Sequence, residues 1–447
     1  MPFLKTYTRY TMKNKKIISL GFTSVALCCT LLFSSTLGAK TSPQQDETSR
    51  LEALSKFANV LNIVEQYDVD NVTINELIDK ALDGMMKNLD AHSNFLTAKD
   101  FKRLEVQTNG EFGGLGITVG MKDGALTVIS PIEGTPADKA GLKSGDIILK
   151  IDKKSTIGMT IDEAVSLMRG KVGTPIDLMI VREGESKPLS IHIVRDTIKI
   201  QSVYSRTVNK DILYLRVTSF DKKVVNDVAK AIKKHKSTTK GIILDLRNNP
   251  GGLLDQAVGL VDTFVDDGII VSQKGRRKSE NKVYSAHASD TLTKVPLVVL
   301  VNGGSASASE IVSGALQDHK RAVLVGEKTF GKGSVQVVLP ISKTEAIKLT
   351  IARYYLPSGR TIQAVGVTPD VNVAPGEVKV HKNEFEIKEA DLKKHLQKEL
   401  EKIDGKKIKD KEDKKDKKDI ITPKMLEKDI QLKEAVDIVK SLIIVKG

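Results

Sequence analysis

The chain has 447 residues, 40% of them hydrophobic, with 4% aromatics, no Trp and a formal net charge of +14. That length suggests about three domains rather than one, and a core short of aromatics must rest on Val, Ile, Leu and Ala, as in a β-branched-rich α/β protein. The charge does not indicate a nucleic-acid binder: much of the lysine lies in IDGKKIKDKEDKKDKKD, interleaved with Asp and Glu, and no basic stripe alternates with aromatics.

Cys28 and Cys29 both fall in an N-terminal apolar run, which excludes disulfides, thiol chemistry and a Cys-based metal site from the rest of the chain. Lys13, Lys15 and Lys16 precede Ile17 to Phe33, a nearly charge-free stretch followed by Ser34, Ser35, Gly38 and Ala39. Residues 1–39 read as a secretion signal. If the apolar stretch continues to Ala39 it reaches about 20 residues, enough for an uncleaved anchor that ties the protein to the membrane through 17–39. In both cases the body is exported, to a periplasm or the outer face of the cytoplasmic membrane.

Residues 40–106 form an expected N-terminal helical arm, in which 40–50 is a polar linker. Beyond it, Leu54, Phe57, Val60, Leu61 and Val64, then Ile74, Leu77, Ile78, Ala81, Leu82 and Met85, recur at helical steps. Such an arm serves packing or oligomerisation. Residues 107–197 change character: GEFGGLGITV is Gly-rich and then strand-like, TIDEAVSLMRG is a helix with a Thr160–Glu163 capping box, and IDLMIVREG with PLSIHIVR reads as a closing hairpin. Gly114, Leu115, Gly116 and Ile117 in this order of elements resemble the carboxylate-binding loop of a PDZ domain. There consecutive backbone N–H groups converge on a peptide's terminal carboxylate and the next strand takes the peptide by β-addition.

Residues 198–372 alternate strand and helix: ILYLRV, KVVNDVAKAIKKH with its stripe of Val224, Val225, Val228 and Ile232, GIILDLR, LLDQAVGLVDTF and PLVVLV. The pattern predicts an α/β core with a mainly parallel sheet and covering helices. Sites in such sheets lie at the carboxyl ends of strands, here Asn248–Gly252 and Asn302–Ser309. Residues 373–447 are charged and helical: a helix over 390–403, a disordered run over 404–419, and a final amphipathic helix that needs a partner on the core or on another subunit.

Ser305, Ser307 and Ser309 all precede a helix, and spacing does not choose among them. Ser307 with Glu310 can also be a plain capping box. Lys332, set between Gly331 and Gly333 beside the apolar AVLVG and SVQVVLP, could be a desolvated general base. His287 and His319 each have an Asp within three residues, the raw material of a Ser-His-Asp rival, but neither stands in a recognisable motif. No metal or nucleotide motif occurs, so no cofactor is expected.

SASASEI followed by GEKTFGKGSVQ resembles the carboxyl-terminal processing peptidases, or tail-specific proteases. LDAHSNFL, DLRNNPGG and PSGRTIQAVGVTPDV extend the likeness from about Leu51 to Asp370. The resemblance implies a PDZ-bearing serine endopeptidase with a Ser/Lys dyad at Ser307 and Lys332, supported by Gln336, and an oxyanion hole from Ala308 and the Gly251–Gly252 turn. It implies an acyl-enzyme and substrates that are proteins or peptides with exposed apolar C-termini. Arg169, after the PDZ helix, is the candidate for coupling ligand binding to the core, and homo-oligomerisation through the terminal helices is expected. The rival class is a PDZ scaffold or chaperone on an inactive protease fold.

Overall fold

A computed structural model describes residues 43–378 and 419–446. The signal or anchor at 1–39, the helix expected at 390–403 and nearly all of the charged run 404–419 lie outside the described residues. Among the described residues, no helix is long and apolar enough to cross a membrane. The chain divides into two compact units, one ending at Ile78 and one beginning at Asp79.

The first unit carries the helix Pro43–Tyr67, so the expected linker is already helical from Pro43. Proline is tolerated in a first turn because its missing N–H has no intrahelical acceptor there. Leu51, Leu54, Phe57, Val60 and Ile63 are exposed along this helix. A second helix, Ile74–Lys87, starts with Thr73 and Glu76 bonding reciprocally, Thr73 N–H to Glu76 Oε2 at 3.0 Å and Glu76 N–H to Thr73 Oγ1 at 3.4 Å.

In the second unit the helical arm is interrupted by a strand the periodicity did not suggest, Asn94–Leu96, which pairs with Ala346–Tyr355. The helix Ala98–Asn109 follows and stops at Gly110, in the left-handed region. Glu111–Gly114 then pairs antiparallel with Asp196–Lys199, so the chain enters and leaves the PDZ region through one two-stranded stem. Within that region Ile117–Lys122, Ala125–Pro131, Ile147–Ile151, Pro175–Val181 and Leu189–Val194 form an antiparallel sheet. The capped helix Ile161–Met168 buries Ala164 and Met168 against its core.

The protease region is built on a six-stranded sheet in chain order: Val203–Val208, Ile212–Val217, Gly241–Asp245, Leu297–Val301, Val323–Gly326 and Val371–Asn372. The first pair is antiparallel and the rest are parallel. Gly241–Asp245 and Leu297–Val301 are buried at every residue because both sheet faces are covered. Side chains alternate between the faces. Ile242, Leu244, Val299 and Val301 meet the helices Val224–Lys234, Leu254–Asp262 and Ala308–Asp318, while Ile243, Val298 and Leu300 meet the C-terminal helix Ile430–Lys446. Leu432, Ala435, Val436 and Val439 of that helix are buried on this second face. At about 1.5–3 kcal/mol for each large aliphatic side chain taken from water, the partner the helix needs is its own sheet.

A second, antiparallel sheet lies beside the first: Ile269–Gly275, Lys282–Ser285, Ser334–Pro340, Ala346–Tyr355 and Asn94–Leu96. The mainly parallel sheet expected from the sequence is therefore one of two in the protease region.

Candidate active site

Two turns meet at the carboxyl ends of the parallel strands. The first, Asn248–Gly252, follows Gly241–Asp245. Asn249 Oδ1 accepts from Gly251 N–H at 2.9 Å and its Nδ2 donates to the Val217 carbonyl at 2.9 Å. The second, Asn302–Ser307, links Leu297–Val301 to the helix beginning at Ala308. Side chains stitch the turns together. Asn248 N–H donates to Asn302 Oδ1 at 2.8 Å and Asn302 Nδ2 to Asn248 Oδ1 at 2.9 Å. Ser305 Oγ donates to the Leu246 carbonyl and Ser309 Oγ to the Asn249 carbonyl, both at 2.8 Å.

This stitching separates the three serines. Ser305 and Ser309 are fully buried and spent on structure. Ser307 lines a cleft of about 1080 Å³, at φ 55° and ψ −110°. A non-glycine residue held there costs about 1–3 kcal/mol, and a serine on a sharp strand-to-helix turn is the nucleophile elbow of other hydrolases. Ser307 makes no side-chain cap bond, and the Glu310 N–H goes to the Ser307 carbonyl at 2.9 Å. Its hydroxyl is not committed to capping.

Glu310 does more than cap. It is fully buried, and its Oε2 accepts from Ser307 N–H and from Lys332 N–H, each at 2.8 Å. Its Oε1 accepts from Gly331 N–H at 2.7 Å and from Thr329 Oγ1 at 2.6 Å. One carboxylate thus holds the serine turn and the lysine loop together. Gly333 lies against Gln363, where a Cβ would come within 2.5 Å of the Gln363 backbone nitrogen.

Lys332 lines the same cleft. Burial pushes its ammonium below the ordinary lysine range and nearby Lys348 pushes it further, while Asp90 and Glu310 oppose. Among the described residues its Nζ has no hydrogen-bond or ion-pair partner, and no hydrogen bond joins it to the Ser307 hydroxyl. Gln336 also lines the cleft. Its Nε2 donates to Ser334 Oγ at 2.8 Å and Thr350 Oγ1 at 3.3 Å, so its amide is held by the second sheet rather than by Lys332. Thr350 Oγ1 in turn donates to Asp90 Oδ1 at 3.1 Å.

Two backbone donors remain open. The N–H groups of Ala308 and Gly252 have no acceptor among the described residues, whereas that of Gly251 is taken by Asn249. Gly251 packs directly on the serine turn: a Cβ there would lie 2.8 Å from the Ala306 oxygen and 2.9 Å from Ser307 Cβ.

In the PDZ region, the Leu115 carbonyl accepts from Ala137 N–H at 2.9 Å and the Gly116 carbonyl from Ile132 N–H at 2.8 Å, while the N–H groups of Leu115 and Gly116 find no acceptor among the described residues. Gly114 ends the stem strand and Ile117 starts the strand that packs against the helix Ile161–Met168. Arg169 caps that helix and stacks on the Phe112 ring at 4.4 Å.

The histidine rival finds no support here. His287 pairs with Asp262 through Nδ1 at 3.3 Å, His319 ends a helix with Nε2 bonded to the Ile269 carbonyl at 2.7 Å, and neither lines the cleft. Sequence reasoning passed over His92. Burial and the charges of Lys332 and Lys348 lower its pKa, against the opposing charge of Asp90. The LDAHSNFL motif was the available signal.

Residues 211–373 match peptidase family S41 and residues 127–182 match the PDZ domain family. The chain is a serine-type peptidase with a PDZ domain. It is 43% identical over 396 residues to the carboxy-terminal-processing protease of Bartonella bacilliformis, covering 87% of this chain and 89% of that protein. It is 37% identical over 343 residues to the carboxy-terminal processing protease CtpA of Bacillus subtilis, covering 76% and 72%. Among solved structures, a photosystem II D1 C-terminal processing protease is similar at 28% identity, with 71% of this chain and 92% of that one covered and a TM-score of 0.40. The chain belongs to the carboxy-terminal processing protease family.

Proposed function

We propose that this protein is an exported endopeptidase that takes the free C-terminus of a protein substrate on its PDZ loop and cleaves upstream through an acyl-enzyme. The observation that carries the reading is Glu310 Oε2, which bonds the backbone of Ser307 and of Lys332 at once and so fixes nucleophile and base on one cleft. Neutral Lys332 takes the Ser307 proton as Oγ adds to the scissile carbonyl. The oxyanion accepts from the Ala308 and Gly252 N–H groups. As the C–N bond breaks, the Lys332 ammonium returns its proton to the leaving amine, and water then releases the acyl group by the same route. Gln336, through Thr350 and Asp90, steadies the strand Ser334–Pro340 that follows the lysine loop.

The Leu115 and Gly116 N–H groups are the proposed seat of the terminal carboxylate, and Gly114 and Ile117 flank it. Export follows from the basic and apolar segments at the N-terminus, with retention at the membrane as the alternative to cleavage. A second copy is the proposed cover for the exposed stripe Leu51, Leu54, Phe57, Val60 and Ile63, and a monomer in light scattering at micromolar concentration would remove that reading.

The function is tested by incubating an unfolded tailed protein with the wild type, Ser307→Ala and Lys332→Ala. Both variants are expected to lose all measurable cleavage. The wild-type rate should rise with pH through the depressed pKa of Lys332, since only the neutral amine accepts the proton. Equal cleavage by all three proteins would remove the dyad, and no cleavage by any would favour the scaffold.

A further inference from the structure

The strand Gly241–Asp245 leads through Leu246 and Arg247 into the turn whose Gly252 lines the cleft. Arg247 is gripped from two sides. Its Nε donates to Asp245 Oδ1 at 3.0 Å and its Nη2 to Asp245 Oδ2 at 2.7 Å. Its Nη1 and Nη2 donate to the two oxygens of Asp429, both at 2.8 Å, and Nη1 also reaches Gln431 Oε1 at 3.1 Å. Asp245 is fully buried, accepts the Arg247 N–H at 3.0 Å and takes the Tyr214 hydroxyl at 2.7 Å. Burial works against the Arg247 charge, but the two carboxylates outweigh it and raise its pKa. Burial likewise opposes ionisation of Asp429, and the Arg247 bonds overcome it, holding that carboxyl below its ordinary range. Asp429 and Gln431 sit at the start of the C-terminal helix, 182 and 184 residues further along the chain.

We infer that Asp429 is a positioning residue for the oxyanion turn, acting through the Arg247 fork. The inference rests on the assignment of that turn proposed above. Two bidentate pairs on one guanidinium fix its plane and therefore the backbone of residue 247. The next residues, Asn248 and Asn249, carry the bonds to Asn302, Ala306 and Ser309 that set the turn against the serine. A burial contact of the helix could be exchanged for another apolar contact without consequence for the turn. The fork could not, because loss of Asp429 breaks two charge-assisted bonds of a guanidinium that is only 12% exposed, leaving Nη1 with Gln431 alone and Nη2 with Asp245 alone.

The test uses the full chain and three variants: Asp429→Asn, Arg247→Lys, and Val436→Ala as a control that loosens the same helix from its buried face. Steady-state hydrolysis of an activated ester is measured at a temperature where circular dichroism shows every protein folded. Asp429→Asn and Arg247→Lys are expected to lower kcat about tenfold with KM unchanged, while Val436→Ala lowers the melting temperature and leaves kcat unchanged. An unchanged kcat in Asp429→Asn overturns the inference. So does an equal loss in Val436→Ala, which would make helix docking as such responsible. If Asp429→Asn does not fold, Arg247→Lys against Val436→Ala decides by the same criterion. Wild-type turnover no faster than Ser307→Ala would instead take down the protease reading, and this inference with it.

Discussion

The PDZ loop and the Asn248–Gly252 turn both offer backbone N–H groups that find no acceptor among the described residues, and they are braced in different ways. The PDZ loop at Leu115 and Gly116 is held at its carbonyls by Ala137 and Ile132 N–H groups, with the Thr135 hydroxyl on the Gly116 carbonyl at 3.1 Å as its side-chain contribution. The Asn248–Gly252 turn is held by the side chains of Arg247, Asn249, Asn302, Ser305 and Ser309. The proposed roles account for the difference. A permanent carboxylate binds at equilibrium, so any rearrangement of its loop costs affinity alone. An oxyanion exists only around the transition state, and donors that had to reorganise then would add to the barrier.

The largest expected effect comes from disturbing the braced turn. Gly251 has φ 104°, and a Cβ there would enter the space of the Ala306 oxygen and Ser307 Cβ. Gly251→Ala is expected to push the turn off the serine and cost about 10²–10³ in kcat, the range for losing one oxyanion donor. KM for a tailed substrate should stay the same, because the PDZ loop is untouched. Steady-state kinetics with more than a tenth of wild-type kcat would mean that the turn is not a donor, and the comparison would fail.

Much of this arrangement was legible in the sequence, for local reasons. SASAS before a helix and the all-apolar runs GIIL and LVVLV are contiguous, so a serine turn ahead of a helix and two buried strands show in the order of residues, while the choice among the three serines does not. What was not legible depends on contacts between distant segments. Glu310 read as a capping partner of Ser307, since nothing local brings Gly331 and Lys332 to its oxygens. The strand Asn94–Leu96 is three residues long and pairs with Lys348, Ile347 and Ala346, so it carries no periodicity of its own. The second sheet was missed for a related reason: Ala346–Tyr355 is a half-buried strand with Lys348 and Arg353 inside it, unlike the buried runs of the parallel sheet.

A smaller effect should come from the lightly braced loop. Gly116 has φ 80° and packs on Thr135, whose Cβ would lie 2.3 Å from an added Cβ. Gly116→Ala is expected to raise KM for a tailed protein about tenfold, roughly 1.4 kcal/mol of binding, and to leave hydrolysis of a short tail-less ester unchanged. Equal damage to both substrates would show that the two loops are not separable.

The smallest effect concerns what joins the loops. Arg169 stacks on Phe112, and Gly170 N–H donates to the Gly113 carbonyl at 3.1 Å, just ahead of the PDZ loop. Immediately before that stem, the Gly110 carbonyl accepts from Lys223 Nζ and Asn109 Oδ1 from Lys222 Nζ at 2.8 Å. Phe220, beside these lysines, exchanges backbone bonds with Gly251 and Leu253 at the end of the Asn248–Gly252 turn. This continuity is spatial and becomes a coupling only if both ends respond to each other. An exposed cation over a ring contributes about 0.5–1 kcal/mol, so Arg169→Ala can remove at most about a two- to fivefold linkage. Linkage is reciprocal: a tail peptide should bind two- to fivefold differently once Ser307 carries a covalent inhibitor, and in Arg169→Ala that ratio should approach one. A ratio unchanged by the substitution would leave the stacked pair a local contact and place any coupling in the lysine contacts to Gly110 and Asn109.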